Sequence, residues 1–220
     1  MSMEINETDE QRIEHIKTWW KENASSVITG LLLGLALLFG AKSWFAYQDR
    51  KAEEASNIYV AMTSAFARGD ENLVTDRAGV LIADYSSSPY ATLAALMLAK
   101  LKVDHGELEA AQAQLRWALD KSASAALRPL LRLRLARVMV AEGKLDEAGA
   151  LLAQSTPDKA YAPLYNELKG DINAARGAAD KARADYELAL AALPPESAEH
   201  RIVQLKYENT TAAAAPGGAQ

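Results

Sequence analysis

The chain has 220 residues, a formal net charge of −5 and no cysteine. Its length suits one ordinary domain plus a shorter segment, and its acidic balance lacks the basic footprint that nucleic acid requires. Without thiols there can be no disulfides, cysteine nucleophiles or thiolate metal sites, and the three histidines (His15, His105 and His200) lie far apart with no partner at ligand spacing.

Residues 1–23 form a short arm with six acids and three bases. Within it, Ile13, Ile16, Trp19 and Trp20 recur at helical spacing. They predict a short amphipathic helix, capped by Thr8 or Asp9, that lies along a membrane surface and runs into the next segment. That segment, Ala24–Ala41, holds 18 residues without an ionisable group. As a helix it covers roughly 27 Å, and the flank of Trp44, Phe45 and Tyr47 extends it to bilayer thickness. A transmembrane helix is therefore expected over residues 24–46, with Trp19, Trp20, Trp44, Phe45 and Tyr47 at the two interfaces. A cleaved signal peptide fits poorly: the leader is long and acidic, the apolar run is too long, and Phe39 spoils the cleavage context before Ala41. A buried core helix would show a polar face, and this stretch offers only Ser25, Ser26 and Thr29. Basic residues number three on each side (Arg12, Lys17, Lys21 against Lys42, Arg50, Lys51), so charge leaves the orientation undecided. Ser26, Gly30 and Gly34 form a small-residue stripe on which another membrane helix could pack.

Residues 47–209 read as a helical repeat domain. Its breakers are regular: Gly69, Gly106, Gly143 and Gly177 are 37, 37 and 34 residues apart, a period typical of helical-hairpin repeats. Aligning on these glycines brings Ala111, Ala148 and Ala182 into register five residues later, and Leu115, Leu152 and Tyr186 nine later. Seven residues before each of the last three glycines stand Ala99, Ala136 and Gly170. A helix pair of this kind cannot bury its apolar face alone, and stacking builds one continuous core. The first unit is degenerate, with Val74 at the alanine position. Pro89, Pro129 and Pro163 fall at the start of the first helix of units two, three and four, where a missing N–H costs little. Pro194-Pro195 stops the last hairpin, Glu196–Glu208 forms a capping helix, and residues 210–220 are expected to be a disordered Ala/Pro/Gly tail.

These residues resemble the tetratricopeptide repeat: a small residue in the first helix, a glycine between the helices, then an alanine and a large apolar residue in the second. Together with the span above, the resemblance implies an all-α fold: a single transmembrane helix followed by an α-solenoid of about four hairpins with a C-terminal capping helix. Such stacks line a concave groove with their inner helices. In this register the groove carries Leu93, Leu96 and Lys100, then Leu130, Leu133 and Arg137, then Glu167 and Asp171. It lacks the cluster of Lys and Arg that would clamp a peptide carboxylate. An open apolar groove would suit an extended hydrophobic segment or a partner helix; equally, the first soluble helix or the C-terminal helix could fill it.

The arm EQRIEHIKTWWKEN, the single span, its Trp44/Phe45/Tyr47 flank and the four repeats together resemble the YfgM family, the ancillary subunits of the SecYEG translocon. The resemblance runs from Thr8 to about Asn209. It implies a bacterial inner-membrane protein with a cytoplasmic N-terminus and a periplasmic repeat domain. The implied partners are SecYEG, the PpiD-like periplasmic chaperone, unfolded client proteins and the lipid bilayer. It implies no cofactor and no catalytic residues, but a role in passing emerging proteins to periplasmic chaperones. The alternative is a repeat scaffold for a cell-envelope or division complex unrelated to translocation.

Overall fold

A computed structural model describes residues 9–122 and 124–214, and the described residues are helical throughout, joined by short turns. The expected cap Thr8 and residues 215–220 of the expected tail lie outside the described residues. The chain divides into two compact units between Glu53 and Glu54.

The first unit is the leading part of α1 (Asp9–Ala67), which runs without interruption from the acidic arm through the apolar stretch. The arm and the apolar stretch are thus parts of one helix. From Asp9 to Thr29 the chain holds neither proline nor glycine, so nothing in the sequence stops helix propagation. Local bonds support the junction: the Thr18 hydroxyl donates to the Glu14 carbonyl, and the Asn23 amide donates to the Trp19 carbonyl. The most apolar 18-residue window of α1 has a mean hydropathy of 2.0, and none of it is buried. Leu31, Leu32 and Leu33 are each more than 60% exposed, although they point to different sides of the helix. Such a surface all round a helix is what a lipid solvent covers, and a helix satisfies its own backbone there.

The second unit is a stack of hairpins. The C-terminal part of α1 pairs with α2 (Glu71–Asp84), α3 (Pro89–Asp104) with α4 (Leu108–Lys121), α5 (Arg128–Ala141) with α6 (Leu145–Ala153), and α7 (Ala162–Ala175) with α8 (Ala179–Leu190); α9 (Ala198–Ala214) closes the end. All four hairpin turns share one geometry. Gly69, Gly106, Gly143 and Gly177 sit at φ between 73 and 78°, where a side chain would strain the backbone. The glycine N–H bonds back three residues and the next N–H bonds back five, as in Gly143 to Val140 (3.0 Å) and Lys144 to Met139 (2.8 Å). This is the Schellman arrangement that satisfies the last carbonyls of a helix.

Within each hairpin the in-register small residues meet: Ala99, Ala111, Ala136, Ala148, Gly170 and Ala182 are all buried. In the degenerate first hairpin Met62 and Val74 occupy the same two places, both fully buried, so larger side chains replace the small pair without loss of the hairpin. Pro89 opens α3 and Pro129 and Pro163 stand in the first turns of α5 and α7, as expected. Between the third and fourth hairpins the fully buried Tyr165 donates its hydroxyl to the Pro129 carbonyl at 3.0 Å. The C-terminal end differs from expectation. α9 continues through Thr210 to Ala214 instead of ending before residue 210, because the alanines that follow are strong helix formers with no breaker until Pro216.

Candidate functional site

The inner helices α3, α5 and α7 bring the expected groove residues to three different fates. Leu133 is 1% exposed and belongs to the core with Leu131, Leu135 and Tyr165. It does not line a groove, because neighbouring hairpins pack over it. Leu93 and Leu130 are half-buried. Leu96, Lys100 and Arg137 are the expected residues that do converge: they line a pocket of about 300 Å³ between α3 and α5. Leu96 is itself only 7% exposed and so contributes the floor, together with Leu115 of α4 and Val138 of α5, while Val103 stands at the edge, 41% exposed.

The rim of this pocket is charged. Lys100 pairs with Asp104 at 2.7 Å, one helical turn on, and both are about half exposed. Arg137 reaches Glu167 on α7 at 3.6 Å. Arg134 also lines the pocket, and no ion pair to it is found among the described residues. An apolar floor under guanidinium groups suits an apolar side chain flanked by a hydrogen-bond acceptor.

The fourth hairpin is closed by the chain itself. Lys206 of α9 donates to Glu167 at 2.7 Å and to Asp171 at 2.8 Å. Asp171 also accepts from the Tyr186 hydroxyl at 2.9 Å, and Asp185 accepts from the Asn173 amide at 2.7 Å. Burial pulls the Lys206 ammonium down, but the hydrogen bonds and charges of Asp171 and Glu167 outweigh it and hold it above the usual lysine value. Burial, the bond to Asp171 and the surrounding carboxylates push the Tyr186 phenol well above its ordinary value. At the unit-four end the C-terminal helix is thus tied to the inner face beside a cavity of about 520 Å³, and between α3 and α5, where the chain itself buries Leu96 and Leu133, a pocket and not a continuous groove remains.

The sequence register passed over Arg134, which falls between the expected inner positions, and Lys206, which lies outside the repeats. The recurrence of arginine along α5, at Arg128, Arg132, Arg134 and Arg137, was the available signal for the first; nothing in the pattern marked the second. In the apolar part of α1, Ser26, Gly30 and Gly34 are exposed, and a Cβ built at either glycine meets nothing within 4 Å. No group of three or more His, Asp or Glu side chains among the described residues could hold a metal ion.

The tetratricopeptide repeat-like domain family matches residues 17–212, a range that includes the apolar stretch as well as the hairpins. The chain is 30% identical over 208 residues to the ancillary SecYEG translocon subunit of Escherichia coli K12, covering 94% of this chain and 98% of that protein. Relatives of the same name from Haemophilus influenzae and Neisseria gonorrhoeae are 29% and 27% identical; each match covers 91% of this chain, and 97% and 96% of those proteins. No solved structure matches the chain significantly. The chain belongs to the tetratricopeptide repeat-like family and, within it, to the ancillary SecYEG translocon subunits.

Proposed function

We propose that this protein is a single-pass inner-membrane subunit that holds a protein-binding repeat domain beside the translocon. The observation that carries this reading is the apolar, wholly exposed stretch of α1 in a chain whose relatives are named for that complex. In this reading the N-terminal arm is cytoplasmic and the repeat domain periplasmic, so the domain stands where exported segments emerge. Its role is binding and not catalysis. The pocket between α3 and α5 takes an apolar side chain of an unfolded client or of a PpiD-like chaperone, with Lys100, Arg134 and Arg137 at its rim. Ser26, Gly30 and Gly34 give a close-packing face for a neighbouring membrane helix.

The test is site-specific photo-crosslinking in intact membranes from Val103, which is exposed at the pocket edge, with Leu133 as the buried control. Adducts with translocon subunits, a periplasmic chaperone or emerging clients are expected from Val103 and not from Leu133. Recovery of division or envelope-assembly proteins alone would replace this reading by the scaffold alternative. Orientation has its own measurement: a reporter fused after Gln220 should be active only if it matures in the periplasm, and activity of a cytoplasm-dependent reporter would reverse the topology.

A further inference from the structure

One face of α9 packs inward: Val203 is 1% exposed and forms a cluster with Ala182, Tyr186 and Ala189, joined by Tyr207. No described residue buries the large apolar side chains of the other face. Ile202 is 51% and Leu205 61% exposed; Ala198 on the same stripe is exposed as well, and Asn209, also exposed, borders the cavity beside Tyr186 and Lys206. Positions 198, 202, 205 and 209 are spaced four, three and four, the seam of a two-helix coiled coil. We propose that α9 is a self-association element, its outer face pairing antiparallel with the same face of a second copy.

The charges beside the seam select both the occupant and the direction. Arg201 and Glu208 lie along one edge of the stripe, seven residues apart. In an antiparallel pair with Ile202 opposite Leu205 of the second copy, Arg201 faces Glu208 of that copy, and Glu208 faces its Arg201. The two-fold axis makes the attraction twice over, as a self-complementary interface requires. A parallel pair would instead set Arg201 beside Lys206, whose ammonium is already held by Glu167 and Asp171, so Arg201 would gain no carboxylate on the second copy. Both side chains are held at the surface by local bonds, Arg201 to the Glu196 carbonyl at 3.1 Å and Glu208 to the Gln204 amide at 2.7 Å. A guanidinium carries five donors and a carboxylate about four acceptor sites, so neither group needs to give up its local bonds to meet the other. Two exposed aliphatic side chains per copy bury less than the ~800 Å² per partner of a stable interface, so the dimer is a reversible one.

The absence of cysteine makes a direct test possible. Leu205→Cys places the only thiol in the chain on an exposed site and leaves the core intact. Full-length protein in mild detergent, treated with a short bismaleimide, should give an adduct of twice the chain mass, whereas Ala150→Cys on α6 should not. Adding Arg201→Glu or Glu208→Arg should each weaken the dimer about tenfold, two exposed ion pairs being turned into like-charge contacts. Combining the two reversals should restore the yield. No adduct, an adduct indifferent to both reversals, or capture in membranes of a different protein only, would overturn the proposal.

Discussion

Between α3 and α5 the inner face holds an open pocket floored by Leu96, Leu115 and Val138; at α7 the same face carries Glu167 and Asp171, and Lys206 of α9 lies on both. The two regions share one repeat geometry and the same hairpin turns, so the backbone does not make the difference. What differs is the neighbour. Leucines at inner positions are drawn into the interface with the next hairpin, as Leu133 is, and leave a shallow apolar surface. Carboxylates at the same positions cannot be buried alone, and they are met by an ammonium from the helix that ends the stack. A solenoid can thus keep one part of its inner face for a partner while its own chain caps another.

That contrast breaks most severely at Leu133. Leu133→Ala should destabilise the repeat domain by about 3 kcal/mol, the cost of deleting buried methyl groups and leaving a cavity, measured by urea unfolding of the full chain in detergent. A near-zero effect would return Leu133 to the groove. Next comes Gly170→Ala, whose new Cβ would stand 2.4 Å from the Tyr186 ring. Overpacking at this helix crossing should cost about 2 kcal/mol, and pairing it with Tyr186→Ala should recover the part due to the clash.

Lys206→Met sharpens the comparison from the closed side. It removes two charge-assisted bonds and leaves Glu167 and Asp171 without their ammonium, for a loss of about 1 kcal/mol because the pair is partly exposed. It also has a pH signature. Lys206 and Tyr186 both have folded pKa values above their unfolded ones, so the folded state holds their protons more tightly. Their contribution is complete below about pH 10 and is lost as pH rises through the folded values. Stability of the parent should fall in alkali, and Lys206→Met combined with Tyr186→Phe should flatten that fall. The smallest expected effect on stability is at the open pocket. Arg134→Ala should change unfolding by less than about 0.5 kcal/mol while lowering the yield of crosslinks from Val103; a larger stability loss would mean that the pocket rim is structural.

Much of the architecture was legible before any coordinates. The four glycines marked the four left-handed turns because no other residue takes φ near 75° without strain, and the small residues at fixed offsets marked the helix crossings. Even Val74, which made the first unit degenerate, stands at a crossing position, opposite Met62 in the fold. The candidate site was legible only in part. Lys100 and Arg137 could be placed on the inner face by register, and so could Leu96. Register could not reveal that Leu133 is covered, since burial depends on how closely the next hairpin approaches. Nor could it foresee Lys206, whose partners Glu167 and Asp171 are 39 and 35 residues away in the chain.

The sequence by itself therefore determined the local features of this protein: the apolar stretch of α1, the helical hairpins, their turns and their small-residue contacts. These follow from hydropathy, backbone freedom and period, which are properties of residues close together in the chain. Only the tertiary structure decided which inner positions remain accessible, that α9 packs on the fourth hairpin, and that Ile202 and Leu205 on its outer face are exposed. Those outcomes depend on side chains brought together from distant repeats, and no local pattern encodes which neighbour arrives.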